Sequence, residues 1–156
     1  MARITKYKTR LTENKRIALD KEVSMNLPLL TYAIKSPEDV VYIGKGFMCI
    51  HEAPEEYMYM ICMNTKNKII GVFEISHGTA NASIVRPREV FQKALLANAI
   101  SIILMHNHPS GDPKPSREDI EVTKRMVEAG NVLGIEVLDH IIIGDTYTSF
   151  KEKGYL

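Results

Sequence analysis

The alternation of apolar and polar positions divides the chain into short, well-marked elements. Residues 57–63 (YMYMICM) and 68–76 (KIIGVFEIS) are apolar and rich in residues that pack well on a pleated surface. The polar Asn64-Thr65-Lys66-Asn67 between them predicts a β-hairpin. Upstream, Ser36-Pro37-Glu38-Asp39 offers a capping hydroxyl, a proline where its missing N–H does no harm, and acids at the positive end of a helix dipole. This predicts a short helix through about Tyr42, stopped near Gly44 and Gly46. Arg86-Pro87-Arg88-Glu89 opens a second helix, whose apolar face runs through Val90, Phe91, Ala94 and Leu95 to an end near Asn98. The unbroken run 100–105 (ISIILM) has the length of a strand buried on both faces. After a loop, Ser116 caps a third helix with Ile120, Thr123, Met126 and Val127 on its apolar face and Gly130 as its stop. Ile135 to Ile143 reads as a further strand, followed by a turn at Gly144-Asp145 and a closing strand near Tyr147 to Phe150. Strands that alternate with helices predict an α/β fold with helices flanking a central sheet.

Composition sharpens this picture. With 45% apolar and 25% charged residues in 156, the chain fits one globular domain, here placed at 36–156, preceded by a basic arm or extension at 1–35. A net charge of +1 provides none of the global field that holds dedicated nucleic-acid binders to phosphate. The start of the chain is locally basic, with Arg3, Lys6, Lys8, Arg10, Lys15, Arg16 and Lys21 set against Glu13, Asp20 and Glu22. It reads as a solvated arm, with a nucleic-acid or partner contact as the alternative. No apolar run approaches a bilayer span, and the N-terminus lacks the apolar core of a secretory signal, so the expectation is a cytosolic protein without membrane contact. Cys49 and Cys62 stand alone among apolar residues and read as buried, reduced thiols.

The chemistry concentrates in the stretch HNHPSGDPKPSRED, residues 106–119. His106 and His108, two apart at the end of a strand, turn their rings to one side and offer a chelate of two nitrogens. The proline-rich loop brings back the next helix, whose first turn carries Asp119 as a third ligand. Two imidazoles and a carboxylate suit zinc, and three protein ligands leave a fourth position for water, the arrangement of a catalytic site. Zinc lowers the pKa of bound water from 15.7 to about 7, so hydrolysis becomes available at neutral pH. The Ser116 hydroxyl could cap the helix or, turned toward the metal, donate to an oxyanion on the substrate. The bland alternative is a pair of loop histidines with Asp119 serving only the helix dipole.

This segment resembles the JAMM motif of the MPN-plus metalloproteases. The wider run from Glu56 to Gly144, with RPREVFQKAL, HNHPSGDPKPSREDIEVTKRM and LDHIIIGD, resembles the RadC family of bacterial JAMM-domain proteins. The resemblance implies a three-layer α/β/α fold of the deaminase-like kind, with a central mixed sheet. It also implies one zinc held by His106, His108 and Asp119, and Ser116 in the family's serine position. The family's glutamate, which takes a proton from the zinc-bound water, falls on Glu56, just ahead of the first apolar strand; Glu74 is the rival. The helix-hairpin-helix segment typical of RadC proteins has no counterpart ahead of Glu56, so the chain resembles a short, stand-alone form, and the DNA-repair association of the family name loses physical support.

The expected activity is a zinc-dependent hydrolysis of an amide, peptide or isopeptide bond in a peptide or protein substrate. The alternatives are a metal-dependent nuclease or DNA-repair factor and a non-catalytic interaction domain. His140 is either a core histidine or one that builds the site wall or orients a ligand. His51 and His77 carry no usable spacing, and Met58, Met60 and Met63 read as core filler.

Overall fold

The computed structural model describes residues 2–28, 30, 33–78 and 85–156. Its elements run β1 (Ala2–Leu11), β2 (Ile17–Leu27), α1 (Pro37–Gly46), a 3-10 turn (Ile50–Glu52), β3 (Tyr57–Met63), β4 (Ile69–His77), α2 (Pro87–Leu96), β5 (Ser101–Asn107), α3 (Arg117–Leu133), β6 (Glu136–Ile143) and β7 (Tyr147–Ser149). The strands form one seven-stranded mixed sheet in the order β2-β1-β4-β3-β5-β6-β7. β1 with β4 and β5 with β6 are parallel, and the other neighbours are antiparallel.

Period-2 alternation sorts the core into two halves. Tyr59, Ile61 and Met63 of β3 and Ile103 and Met105 of β5 pack on the face that holds Val40 and Ile43 of α1. Met58, Met60 and Cys62 of β3 and Ile102 and Leu104 of β5 pack on the other, with Val90, Phe91 and Ala94 of α2 and Val122 and Met126 of α3. The result is the expected three-layer α/β/α arrangement. Every residue of β5 is buried, as the uninterrupted run required, although Ile100, placed in that run by the sequence, precedes the strand and is exposed.

Residues 2–27 depart from the solvated arm that their charge suggested. They form a long antiparallel hairpin, β1–β2, that joins the sheet in parallel with β4 through Lys6–Val72 and Tyr7–Phe73. The basic residues conceal it because they are interleaved with groups that pack. Ala2, Ile4 and Leu27 are buried, Tyr7 stacks on Phe73 at 5.8 Å, and Lys6 is paired with Glu22 at 3.1 Å and Glu74 at 3.2 Å.

Two glycines read as helix stops lie inside helices. α1 continues through Gly44 to Gly46, and Gly44 lets the helix lie close to β6, since a Cβ there would stand 2.5 Å from Ile143 Cδ1 and displace that side-chain end. α3 likewise runs past Gly130, where a Cβ would meet the Ile135 carbonyl oxygen at 2.4 Å. It ends at Gly134, whose φ of 70° is the left-handed cap that glycine supplies without strain. Leu95, assigned to the apolar face of α2, is 57% exposed. Cys49 is exposed, contrary to the buried thiol expected, whereas Cys62 is buried and its thiol is pushed up to about 12 by desolvation. Among the described residues, no helix is long and apolar enough to cross a membrane.

Replacing Gly130 by alanine should destabilise the fold by about 1–3 kcal/mol, because the obstructing atom is backbone and must move. Thermal unfolding of Gly130→Ala should show a clear fall in Tm; a Tm equal to that of the wild type would contradict the close packing of α3 on the start of β6.

Candidate metal centre

β5 sets the direction of the first candidate ligand. His106 shares the parity of Ile102 and Leu104, so its ring emerges on the face covered by α3. His108 follows two residues later, beyond the end of the strand, and is held there by its backbone N–H, which donates to the Ile143 carbonyl at 2.9 Å. The loop turns back at once. His108 Nδ1 donates to the Asp112 carbonyl at 2.8 Å, leaving Nε2 directed inward.

α3 brings the third candidate through its cap. The Ser116 side chain accepts from the Asp119 backbone N–H at 3.1 Å, and the Ser116 backbone N–H donates to Asp119 Oδ2 at 2.8 Å, a reciprocal capping box. The Ser116 hydroxyl also donates to Asp119 Oδ2 at 2.6 Å. Asp119 thus closes the helix end and turns its carboxylate toward the histidines. His106 Nε2 lies 3.0 Å from His108 Nε2 and 3.3 Å from Asp119 Oδ1, and His108 Nε2 lies 3.5 Å from Asp119 Oδ2. His106 and Asp119 are buried and His108 is partly so, and together the three could hold a metal ion.

The electrostatics of the cluster follow from this packing. Burial opposes ionisation of Asp119, but hydrogen bonds to His106 and His108, the charge of His106 and the Ser116 hydroxyl outweigh it and hold the carboxyl far below the ordinary range. The Asp119 carboxylate raises the pKa of His108 against its partial burial, with smaller contributions from the Asp112 carbonyl and the charge of Glu56. His140, fully buried, is driven well below the ordinary histidine value, first by desolvation and then by the neighbouring charge of His106.

The two candidate glutamates have different surroundings. Glu74 is occupied on β4, where its carboxylate meets Lys6 at 3.2 Å and His77 Nδ1 at 2.7 Å. Glu56 is half-buried at the entrance to β3, and its charge is felt by His108. Asn107, which the sequence reading passed over, fixes that entrance. Its side-chain oxygen accepts from the Tyr57 N–H at 2.7 Å, and its amide donates to the Glu55 carbonyl at 2.9 Å. The residue between the two histidines therefore clamps the peptide on both sides of Glu56. On the flank of His108 lies a cleft of about 240 Å³ lined by Lys45, His51, Pro109, Gly144 and Asp145, among others. It gives His51 a place that its sequence context did not suggest. His77 lies away from the cluster, on Glu74 and stacked against Tyr57.

Thr123 and His140 complete the wall behind His106, with His140 Nε2 2.8 Å from His106 Nδ1. A polar residue on the apolar face of α3 and a histidine inside an isoleucine-rich strand were the available signals. Their partnership shows only once β6 is set beside β5, with His140 opposite Leu104.

Comparison with known proteins places this arrangement in a family. Residues 34–155 match the family described as the RadC-like JAB domain. A UPF0758 protein of Caldanaerobacter subterraneus subsp. tengcongensis is 51% identical over 140 residues, which cover 89% of this chain and 59% of the relative. One of Alkaliphilus metalliredigens is 51% identical over 141 residues, covering 90% and 60%. One of Bacillus cereus is 54% identical over 127 residues, covering 80% and 55%. The chain therefore spans somewhat more than half the length of these relatives. With the match spanning both β5 and α3, which bring the histidines and the aspartate together, the chain belongs to the RadC-like JAB domain family.

Proposed function

We propose that this domain is a zinc-dependent hydrolase that cleaves an amide, peptide or isopeptide bond in a peptide or protein substrate. The observation that carries the reading is the convergence of His106 Nε2 and His108 Nε2, 3.0 Å apart, on the Asp119 carboxylate, whose Oδ1 lies 3.3 Å from the first and whose Oδ2 lies 3.5 Å from the second. Tetrahedral zinc with bonds of about 2.0–2.1 Å separates its ligands by about 3.3 Å, and two imidazole nitrogens and a carboxylate gathered this closely are a donor set that fits the ion. A bound zinc would supply a Lewis acid and an acidified water at neutral pH.

The remaining steps belong to the chain's own side chains. Glu56, half-buried, with its charge felt by His108 and with the peptide groups on either side of it held by Asn107, accepts the proton of the attacking water and returns it to the leaving nitrogen. Glu74 is the poorer base, since Lys6 and His77 already claim both of its oxygens. The Ser116 hydroxyl holds the Asp119 carboxylate; to donate to a developing oxyanion it must turn away from that bond. The cleft beside His108 seats the chain on one side of the scissile bond.

Three variants and the pH dependence of zinc binding test this reading. Glu56→Gln should keep about one zinc per chain by elemental analysis while turnover of a peptide or isopeptide substrate falls by about 10²–10⁴. His106→Ala should lose metal and turnover together. Full turnover in Glu56→Gln would remove Glu56 as the base, and a wild-type protein that takes up no zinc would end the proposal. Asn107→Leu removes the partners of the Tyr57 N–H and the Glu55 carbonyl but none of the metal ligands. It should retain zinc and lose turnover, and equal loss of both in a well-folded variant would argue against the clamp. Zinc affinity should also depend on pH. Asp119 raises the pKa of His108, so a proton competes for its Nε2 from somewhat above the ordinary histidine value of 6.5 downward. Affinity measured by chelator competition should fall by up to about tenfold per pH unit for one displaced proton as pH drops through that window.

A further inference from the structure

The imidazole of His140 is fully buried, and both of its nitrogens are engaged. Nε2 lies 2.8 Å from His106 Nδ1, and Nδ1 lies 2.6 Å from Thr123 Oγ1. Thr123 in turn donates to the Asp119 backbone carbonyl at 2.7 Å. A threonine hydroxyl bonded to the carbonyl four residues back is common in helices. Here the same oxygen also meets a buried histidine, and that fixes the direction of every proton behind it.

A carbonyl only accepts, and a hydroxyl has one hydrogen, so Thr123 spends its hydrogen on Asp119 and its oxygen must accept from His140 Nδ1–H. A neutral His140 protonated at Nδ1 presents a bare Nε2, which accepts from His106 Nδ1–H. Neutral His106 then has its lone pair on Nε2, aimed into the cluster. The opposite polarity is conceivable, with the Thr123 hydroxyl donating to His140 Nδ1 and His140 Nε2–H donating to His106 Nδ1. It holds the same number of protons, but it puts a hydrogen on His106 Nε2, where a metal must bind, and it gives up the Thr123 bond to Asp119.

We propose that Thr123 and His140 are positioning residues that hold His106 in the one tautomer able to bind metal, through a relay anchored on the backbone of Asp119, itself a ligand. The inference rests on the metal centre of the proposed function and adds what selects its tautomer. The relay closes a ring: from the Asp119 carboxylate across the site to His106, then through His140 and Thr123 back to the Asp119 carbonyl. β5, α3 and β6 each contribute at least one member.

Two measurements test it. In the zinc-loaded, ¹⁵N-labelled protein, long-range proton–nitrogen spectra of the imidazole rings should show both His106 and His140 protonated at Nδ1; a hydrogen on His140 Nε2 would overturn the relay. Separately, Thr123→Val keeps the side-chain shape and leaves the buried His140 Nδ1–H without an acceptor whenever zinc is bound. Zinc affinity by chelator competition should weaken by about tenfold to a hundredfold, and Thr123→Ser should restore it. Wild-type affinity in Thr123→Val would overturn the proposal. If the valine variant does not fold, the spectra of the wild type and the serine variant decide it. Zinc that binds with the relay intact but supports no hydrolysis would sink the proposed activity alone. Zinc affinity indifferent to Thr123 would sink the relay alone.

Discussion

A carboxylate buried against two imidazoles is the interaction on which the rest of the structure depends. Asp119 is removed from water, which by itself would neutralise it, and hydrogen bonds from the histidines when they carry a proton, their positive charge and the Ser116 hydroxyl hold its carboxyl far below the ordinary range. That convergence requires α3 to start at a definite residue and β5 to end at a definite residue, with parity that turns His106 toward the helix. The capping box provides the first condition and the pleat of β5 the second. The loop between has little freedom left, because His108 is tied by its backbone to Ile143 and by its ring to Asp112.

Seen this way, the sheet is a device for bringing three separate segments to one end of two parallel strands. β5 and β6 run side by side with α3 as their crossover, and the candidate centre lies where they finish, the end of a parallel pair where ligands are generally bound in α/β folds. β3, on the other side of β5, carries Glu56 in at its start. Asn107 joins that start to the end of β5, so the antiparallel pair and the parallel pair meet at one side chain.

What the sequence made legible was what is local. The ligand set, its cap and the strand before it lie within 20 residues, and their spacing in an extended strand and a first helical turn fixes their relation without knowledge of the rest. The paired strands β3 and β4 were legible for the same reason. What was hidden depends on neighbours distant along the chain. Gly44 and Gly130 look like helix stops by propensity, yet each lies where another segment comes close, Gly130 against the backbone of Ile135 and Gly44 against the end of the Ile143 side chain. The basic residues of β1 suggested a solvated arm because the strand that β1 joins, β4 with Glu74, lies far along the chain. Thr123 and Asn107 are ordinary residues in sequence and acquire their places only through distant neighbours, and His140, open in sequence between a core and a site-wall place, is set beside His106 by the register of β6 against β5.

The compactness of the stretch 106–119 bears on the order in which the molecule takes shape. Joining the ends of a short loop costs little conformational entropy, and the cost grows only slowly with length. The three candidate ligands need only β5 and the first turn of α3 to meet, which closes a short loop. His140 lies on β6, beyond the whole of α3, and closes the ring behind His106 only when that strand docks. A cation held by the three would act as a staple between β5 and α3, and the docking of β6 would lock it in.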